Sequence, residues 1–209
     1  MTTPTPTDLE LRCHCGGVQL LAANVTPAVA NRIVCHCAGC RAFAERMDAR
    51  DLDALGGVER MQVSPAALHI TRGADALACM QQSPRGALRW IARCCGTPLG
   101  LTLRSARVPF VGLDVKRVDL DRLVRPLDDV IGPLRARVNG TFARSERPAL
   151  RADTRSLLSM LAHLAPLTLR WWWRGDQRRS PFFDKGRPVV EVETLYEARE
   201  PKLLGRGCR

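Results

Sequence analysis

The segment NRIVCHCAGCRAF places three cysteines, Cys35, Cys37 and Cys40, within six residues, and its CHC triplet has already occurred at Cys13–His14–Cys15. A third group, Cys94–Cys95, lies in ARCCGTP, so seven of the nine cysteines fall in three tight groups. Grouped thiols can form disulfides, make a redox pair or bind a metal ion. Zinc takes thiolates at about 2.3 Å in a tetrahedron; structural sites fill all four positions from the protein, and catalytic sites leave one for water or substrate. An extended segment turns residues i and i+2 to one face, so Cys13 with Cys15, and Cys35 with Cys37, can each grip one ion. After a two-residue turn, Cys40 supplies a third sulfur.

The odd count and the tight grouping favour metal ligation over a disulfide framework. The opening MTTPTPTDLELR has no apolar run of the signal-peptide kind, so the chain is expected in the reducing cytoplasm, where structural disulfides are rare. No βαβ pattern surrounds CAGC (Cys37 and Cys40), which argues against a redox pair. Two arrangements then stand. In one, a structural zinc sits on Cys13, Cys15, Cys95 and Cys94, and a second, open zinc on Cys35, Cys37 and Cys40. In the other, a single zinc collects four of these thiols and the rest are ordinary buried cysteines. On a strand, His14 and His36 point away from the neighbouring sulfurs, so they are read as surface residues or supports rather than ligands. His69 and His163 are read as structural, Cys79 as a small buried hydrophobe, and Cys208 as having no role.

Short strands with turn punctuation must position these thiols. LELRCHCGGVQLLA alternates Leu9, Leu11, Cys13 and Cys15, turns at Gly16–Gly17 and resumes at Val18, a hairpin with cysteines at its tip. NRIVCHC is a strand leading into the second cluster, and FAERMDARDLDALGG a short helix and loop ended by Gly56–Gly57. ALHITRG, LACMQQ, ALRWIARCC and LGLTLR follow as strands separated by turns at Ser83–Gly86 and Gly96–Pro98. The fold class is mainly β. Residues 1–147 are read as the zinc-binding domain and 148–209 as a helical extension and tail. Within the latter, an Asp153/Thr154 cap, a dense apolar run and Gly175 mark a helix, bent at Pro166, with a Pro-rich extended arm behind it.

The 209 residues, 45% hydrophobic, suffice for a real core. A net charge of +11 invites a nucleic-acid partner. Against that, the arginines are spread along the chain, no basic run exceeds two residues, and three of the four Trp stand together at Trp171–Trp173, leaving no distributed stacking platforms. Residues 156–174 approach membrane-spanning length, but His163, Pro166 and Arg170 interrupt them. Association with a membrane surface is the alternative to packing on the β-domain or on a second copy in a homodimer.

The order CHCGG, CHCAGCR, Gly73-x-Asp75-x-Leu77 and RWIARCCGTPL resembles the family of glutathione-dependent formaldehyde-activating enzymes over about residues 9–115, closest to an uncharacterised bacterial branch. The resemblance implies a β-tent, small antiparallel sheets held by zinc. It also implies a structural zinc on a Cys-x-Cys and a Cys-x-x-Cys pair, and a second zinc on Cys-x-Cys-x-x-Cys. By position, Cys13, Cys15 and Cys95 match the structural ligands, and Cys35, Cys37 and Cys40 the second site. Two departures stand out: the remaining structural cysteine of that family falls at Ala92, with Cys94 as its substitute, and AFAERM follows Cys40 where small polar residues and Gly are usual. The implied activity is that of a carbon–sulfur lyase or synthase acting on a thiol adduct of a small aldehyde, of the S-hydroxymethylglutathione type. In it Cys35, Cys37 and Cys40 would hold the catalytic zinc, and Arg41, with Arg32, would pair with the carboxylates of the thiol. The rival class is a zinc-stabilised binding module without turnover.

Overall fold

The computed structural model describes residues 5–140, 143 and 154–195, apart from the side chains of 154–156. In chain order its elements are β1 (Thr7–Arg12), β2 (Gln19–Val25), β3 (Asn31–Cys35), α1 (Ala38–Met47), β4 (Val58–Val63), β5 (Leu68–Arg72), β6 (Leu77–Gln81), β7 (Leu88–Ala92), β8 (Thr97–Thr102) and β9 (Val111–Asp114). These are followed by α2 (Leu127–Ile131), β10 (Ala136–Val138), α3 (Thr154–Trp173), β11 (Phe183–Asp184), β12 (Arg187–Pro188) and β13 (Val192–Thr194). The chain is mainly β, as its turn punctuation predicts, with a C-terminal helix and an arm.

Strands β1, β2 and β5 form a three-stranded antiparallel sheet, and β11 with β12 a two-stranded one. The largest sheet has the order β10-β3-β4-β9-β8-β7-β6-β13. Its inner pairs are antiparallel, whereas β10 joins β3 and β13 joins β6 in parallel. Both outer strands come from late in the chain and occupy edges whose backbone N–H and C=O groups would otherwise lack partners.

Period-2 alternation sorts the side chains of this sheet onto two different surfaces. One surface sends Met61, Val63, Leu77, Cys79, Leu88, Trp90, Leu99 and Leu113 into the main core, against Leu9, Leu11, Leu20, Ala22 and Leu68 of the small sheet. Trp90 is its centre: the ring is fully buried, stacks on Phe182 at 4.4 Å and donates from Nε1 to Thr102 Oγ1 at 3.0 Å. The opposite surface carries Met80, Ile91 and Leu101, on which α1 packs through Phe43 and Ala44. Cys79 is the buried hydrophobe expected of it, and burial pushes its thiol up to about 12.

Helix α3 lies against β10 and β3. Leu167 and Trp171 are buried, and His163 Nε2 donates to the Ala30 carbonyl at 3.0 Å. Gly175 follows the helix with φ +71, the left-handed conformation of a helix stop. Asp153 and Cys208 lie outside the described residues. Leu158, Leu161, Leu169, Trp172 and Trp173 are exposed along α3, and among the described residues no helix is long and apolar enough to cross a membrane.

Since Phe182 reaches the Trp90 ring from the segment after α3, Phe182→Ala is expected to destabilise the whole fold. The loss should be about 3–5 kcal/mol, read as a lower urea midpoint with a single cooperative transition.

Candidate metal centre

The β1–β2 connection is short because Leu11 and Val18 both turn inward, leaving Cys13–Gly17 to reverse the chain. Cys13 N–H donates to the Val18 carbonyl at 3.0 Å, and Gly16 N–H to the Cys13 carbonyl at 2.9 Å. Cys13 and Cys15 therefore sit in a turn rather than on an extended strand, with Cys13 buried and Cys15 exposed. Across from them the β7–β8 connection folds Gly96 N–H onto the Ala92 carbonyl at 2.8 Å, with Gly96 at φ +71. This tight turn overrides the tendency of adjacent extended residues to diverge and brings both Cys94 and Cys95 to the cluster. All four sulfurs lie within 4.8 Å of one another. Cys13 is 3.5 Å from Cys15 and 3.9 Å from Cys94, Cys15 is 3.3 Å from Cys94, and Cys94 is 3.9 Å from Cys95. Ala92, the other candidate position, is a buried strand residue without a donor.

Hydrogen-bond donors converge on these sulfurs, as thiolate ligands require. Val18 N–H donates to Cys13 Sγ at 3.2 Å. Thr97 Oγ1, which accepts from His14 N–H at 3.1 Å, stands 3.0 Å from Cys95 Sγ and so has its own hydrogen to give that sulfur. Burial alone would raise the Cys95 thiol, yet hydrogen bonds from Thr97 and the Cys15 backbone outweigh it and bring the pKa down to about 6. Burial, foremost, raises Cys13. Thr97 carries no chemistry in a sequence reading beyond its place in a turn; only the fold shows its contact with Cys95.

The second cluster is built differently. Helix α1 starts at Ala38, inside the motif, and Cys37 is its N-cap: Cys40 N–H donates to Cys37 Sγ at 3.3 Å. The expected two-residue turn is thus the first turn of a helix, hidden because cysteine is not among the usual capping residues. Cys35 ends β3, and Cys35, Cys37 and Cys40 bring their sulfurs within 4.8 Å of one another. Asn139 Nδ2 donates to Cys35 Sγ at 3.6 Å, and Arg89 Nη1 and Nη2 reach Cys40 Sγ at 4.0 and 3.9 Å. Hydrogen bonding to Cys37 and Cys40 drives the Cys35 thiol up, while hydrogen bonds from Cys35 and Cys37, then Arg60 and Arg89, drive Cys40 down. The thiols titrate as one coupled unit, with the arginines on the Cys40 side.

Neither CHC histidine is a member of either cluster. The His14 ring stands 2.5 Å from Asp48 Oδ2 and 2.8 Å from Arg117 Nη1, linking the first cluster to the C-terminal end of α1, where Asp48 is the cap. His36 is fully buried, contrary to a surface reading, and burial lowers its pKa. Its space exists because residue 57 is glycine: a Cβ there would lie 2.7 Å from His36 Nε2. His69 is exposed on β5 and lines a cavity of about 310 Å³ with Trp171, Arg174 and Arg179. Arg41 follows Cys40 on α1 and lies 4.0 Å from Glu45. Arg32 is held by Glu59 at 2.5 Å and by Asp128.

Fold and site together define a mainly β protein with two cysteine clusters able to hold metal ions. The chain belongs to the family of unknown function DUF6151, whose model matches residues 7–193. No curated protein matches it. A crystal structure of a Rhodobacter sphaeroides protein, a structural-genomics target, is 24% identical to it. That match covers 60% of this chain and 96% of the other at a TM-score of 0.39.

If all four thiols of the first cluster hold one ion, Cys94→Ser and Cys95→Ser should each cost that ion and lower the melting temperature. Metal analysis and calorimetry on the two variants check this. A Cys94→Ser protein with unchanged metal and melting would show that Cys95 serves alone.

Proposed function

We propose that the protein binds two zinc ions, a closed structural one on Cys13, Cys15, Cys94 and Cys95 and an open one on Cys35, Cys37 and Cys40. The observation that carries this is the spacing of the first four sulfurs. Zinc–sulfur bonds of about 2.3 Å in a tetrahedron set the sulfurs about 3.8 Å apart, and the four separations given above run from 3.3 to 3.9 Å. Four ionised thiols at such distances would repel strongly without a cation among them, and the N–H and O–H donors around them suit thiolates. An all-thiolate set is soft and favours zinc over magnesium or calcium.

The second cluster offers three sulfurs, so its ion keeps one position for a ligand from outside. Cys35 and Cys40 are buried, and Cys37 and Gly39 are partly exposed, marking where the cluster meets solvent. Zinc bound there would supply Lewis acidity and a place for a thiol sulfur or carbonyl oxygen. On the resemblance of its motifs, we assign this site to reversible carbon–sulfur bond formation: a small thiol adds to a small aldehyde, the S–H proton ending on the former carbonyl oxygen. Within that reading Arg41, one residue beyond Cys40, is the cation nearest in sequence for an anionic thiol. Three thiolates make a weaker Lewis acid than neutral ligands do, which favours binding and orientation over strong activation.

Cobalt-substituted protein tests this reading, because its visible bands report the ligands. Addition of a small thiol is expected to shift the bands of wild-type protein and to leave those of Cys37→Ala, which retains the first site, unchanged. Bands indifferent to thiols in the wild type would rule out an open second centre.

A further inference from the structure

Beneath α1, the large sheet buries charge as well as apolar surface. Arg60 and Asp114, 4% and 2% exposed, form one ion pair there, and Arg117 and Asp51, 5% and 2% exposed, form another. Arg89, 6% exposed, is a third guanidinium on this side, and among the described residues no carboxylate lies within ion-pair distance of it. Arg60 and Arg117 thus each have a carboxylate partner, and Arg89 has none among the described residues. The Arg89 guanidinium stacks 4.7 Å above the Phe43 ring and directs two nitrogens at Cys40 Sγ. A ring face offsets only part of the cost of burying a cation. Its site therefore calls for an anion, and the group it faces is a cysteine cluster.

We propose that Arg89 is the built-in counter-ion of the second metal centre. The inference rests on Cys35, Cys37 and Cys40 holding a divalent ion. Three thiolates and a divalent cation carry a net charge of −1, which the single positive charge of Arg89 matches. Its two terminal nitrogens point at Cys40 Sγ, the placement by which an outer side chain supports a metal ligand. Arg60 also acts on Cys40 but is paired with Asp114, whereas Arg89 has no carboxylate of its own among the described residues. On the strand LRWIA every residue is buried, and Arg89 is the one charged member, opposite Leu101 and Met80 in the sheet register.

The experiment uses the full chain, with Co²⁺ as the probe and the first cluster as internal reference. Arg89→Met is expected to weaken Co²⁺ binding at the second cluster by about 10–100-fold while the first cluster keeps its affinity. Arg89→Lys, which keeps the charge, should stay much closer to wild type. A second readout separates charge from packing. In a Cys37→Ala background, where the second centre is lost, Arg89→Met should be neutral or raise the denaturation midpoint, because a buried cation without its anion is removed. In the metal-loaded parent the same change should lower the midpoint. Wild-type Co²⁺ affinity in Arg89→Met, equal losses in the Met and Lys variants, or destabilisation by Arg89→Met in both backgrounds would each overturn the counter-ion assignment. Failure of the wild-type second cluster to bind Co²⁺ at all would instead overturn the metal-centre reading beneath it.

Discussion

Four sulfurs from two turns, separated by 79 residues between Cys15 and Cys94, meet at van der Waals distances, and the rest of the molecule is arranged around that junction. One turn closes the β1–β2 hairpin of the small sheet; the other joins β7 and β8 in the middle of the large one. Hydrophobic burial brings the two sheets face to face, but it does not specify which turn meets which. Donors aimed at the sulfurs from Val18 and Thr97 suit thiolates, and four thiolates so placed would need a cation. A metal ion there would act as a crosslink between distant parts of the chain, adding its binding free energy to folding.

The second cluster solves a different problem. Helix α1 covers the other face of the large sheet, and its N-terminus delivers Cys37 and Cys40 to Cys35 at the end of β3. Arginines of β4 and β7 lie in that layer, where an ordinary domain would place only apolar side chains. His14 and Asp48 join the two regions: the residue between Cys13 and Cys15 contacts the residue that caps α1. One cluster ties sheet to sheet; the other is set into a charged layer with a partly exposed edge.

Much of this frame was legible from the order of residue types. Alternation of Leu9 and Leu11 with Glu10 and Arg12, then Gly16–Gly17, marks the hairpin, and the run closing at Gly175 marks α3. Cysteine grouping alone singles out the seven thiols that the fold gathers into two sets. What stayed hidden has local or long-range causes. The start of α1 at Ala38 is masked by a cysteine cap, and while the turn at Gly96–Pro98 and the candidacy of Cys94 are legible, the Gly96-to-Ala92 hydrogen bond that sets the turn is not. Arg89 and Cys40 are 49 residues apart, and their contact arises only from sheet register and helix placement. Of the two places open to His36, surface or support, the fold takes the buried one, because Gly57, just before β4, leaves space for the ring.

The central claim is that both clusters are metal centres, and diffraction recorded on either side of the zinc absorption edge tests it most directly. The account predicts two anomalous peaks, one enclosed by the sulfurs of Cys13, Cys15, Cys94 and Cys95 and one bound by Cys35, Cys37 and Cys40. Either cluster empty, or its thiols joined in disulfides, would contradict it.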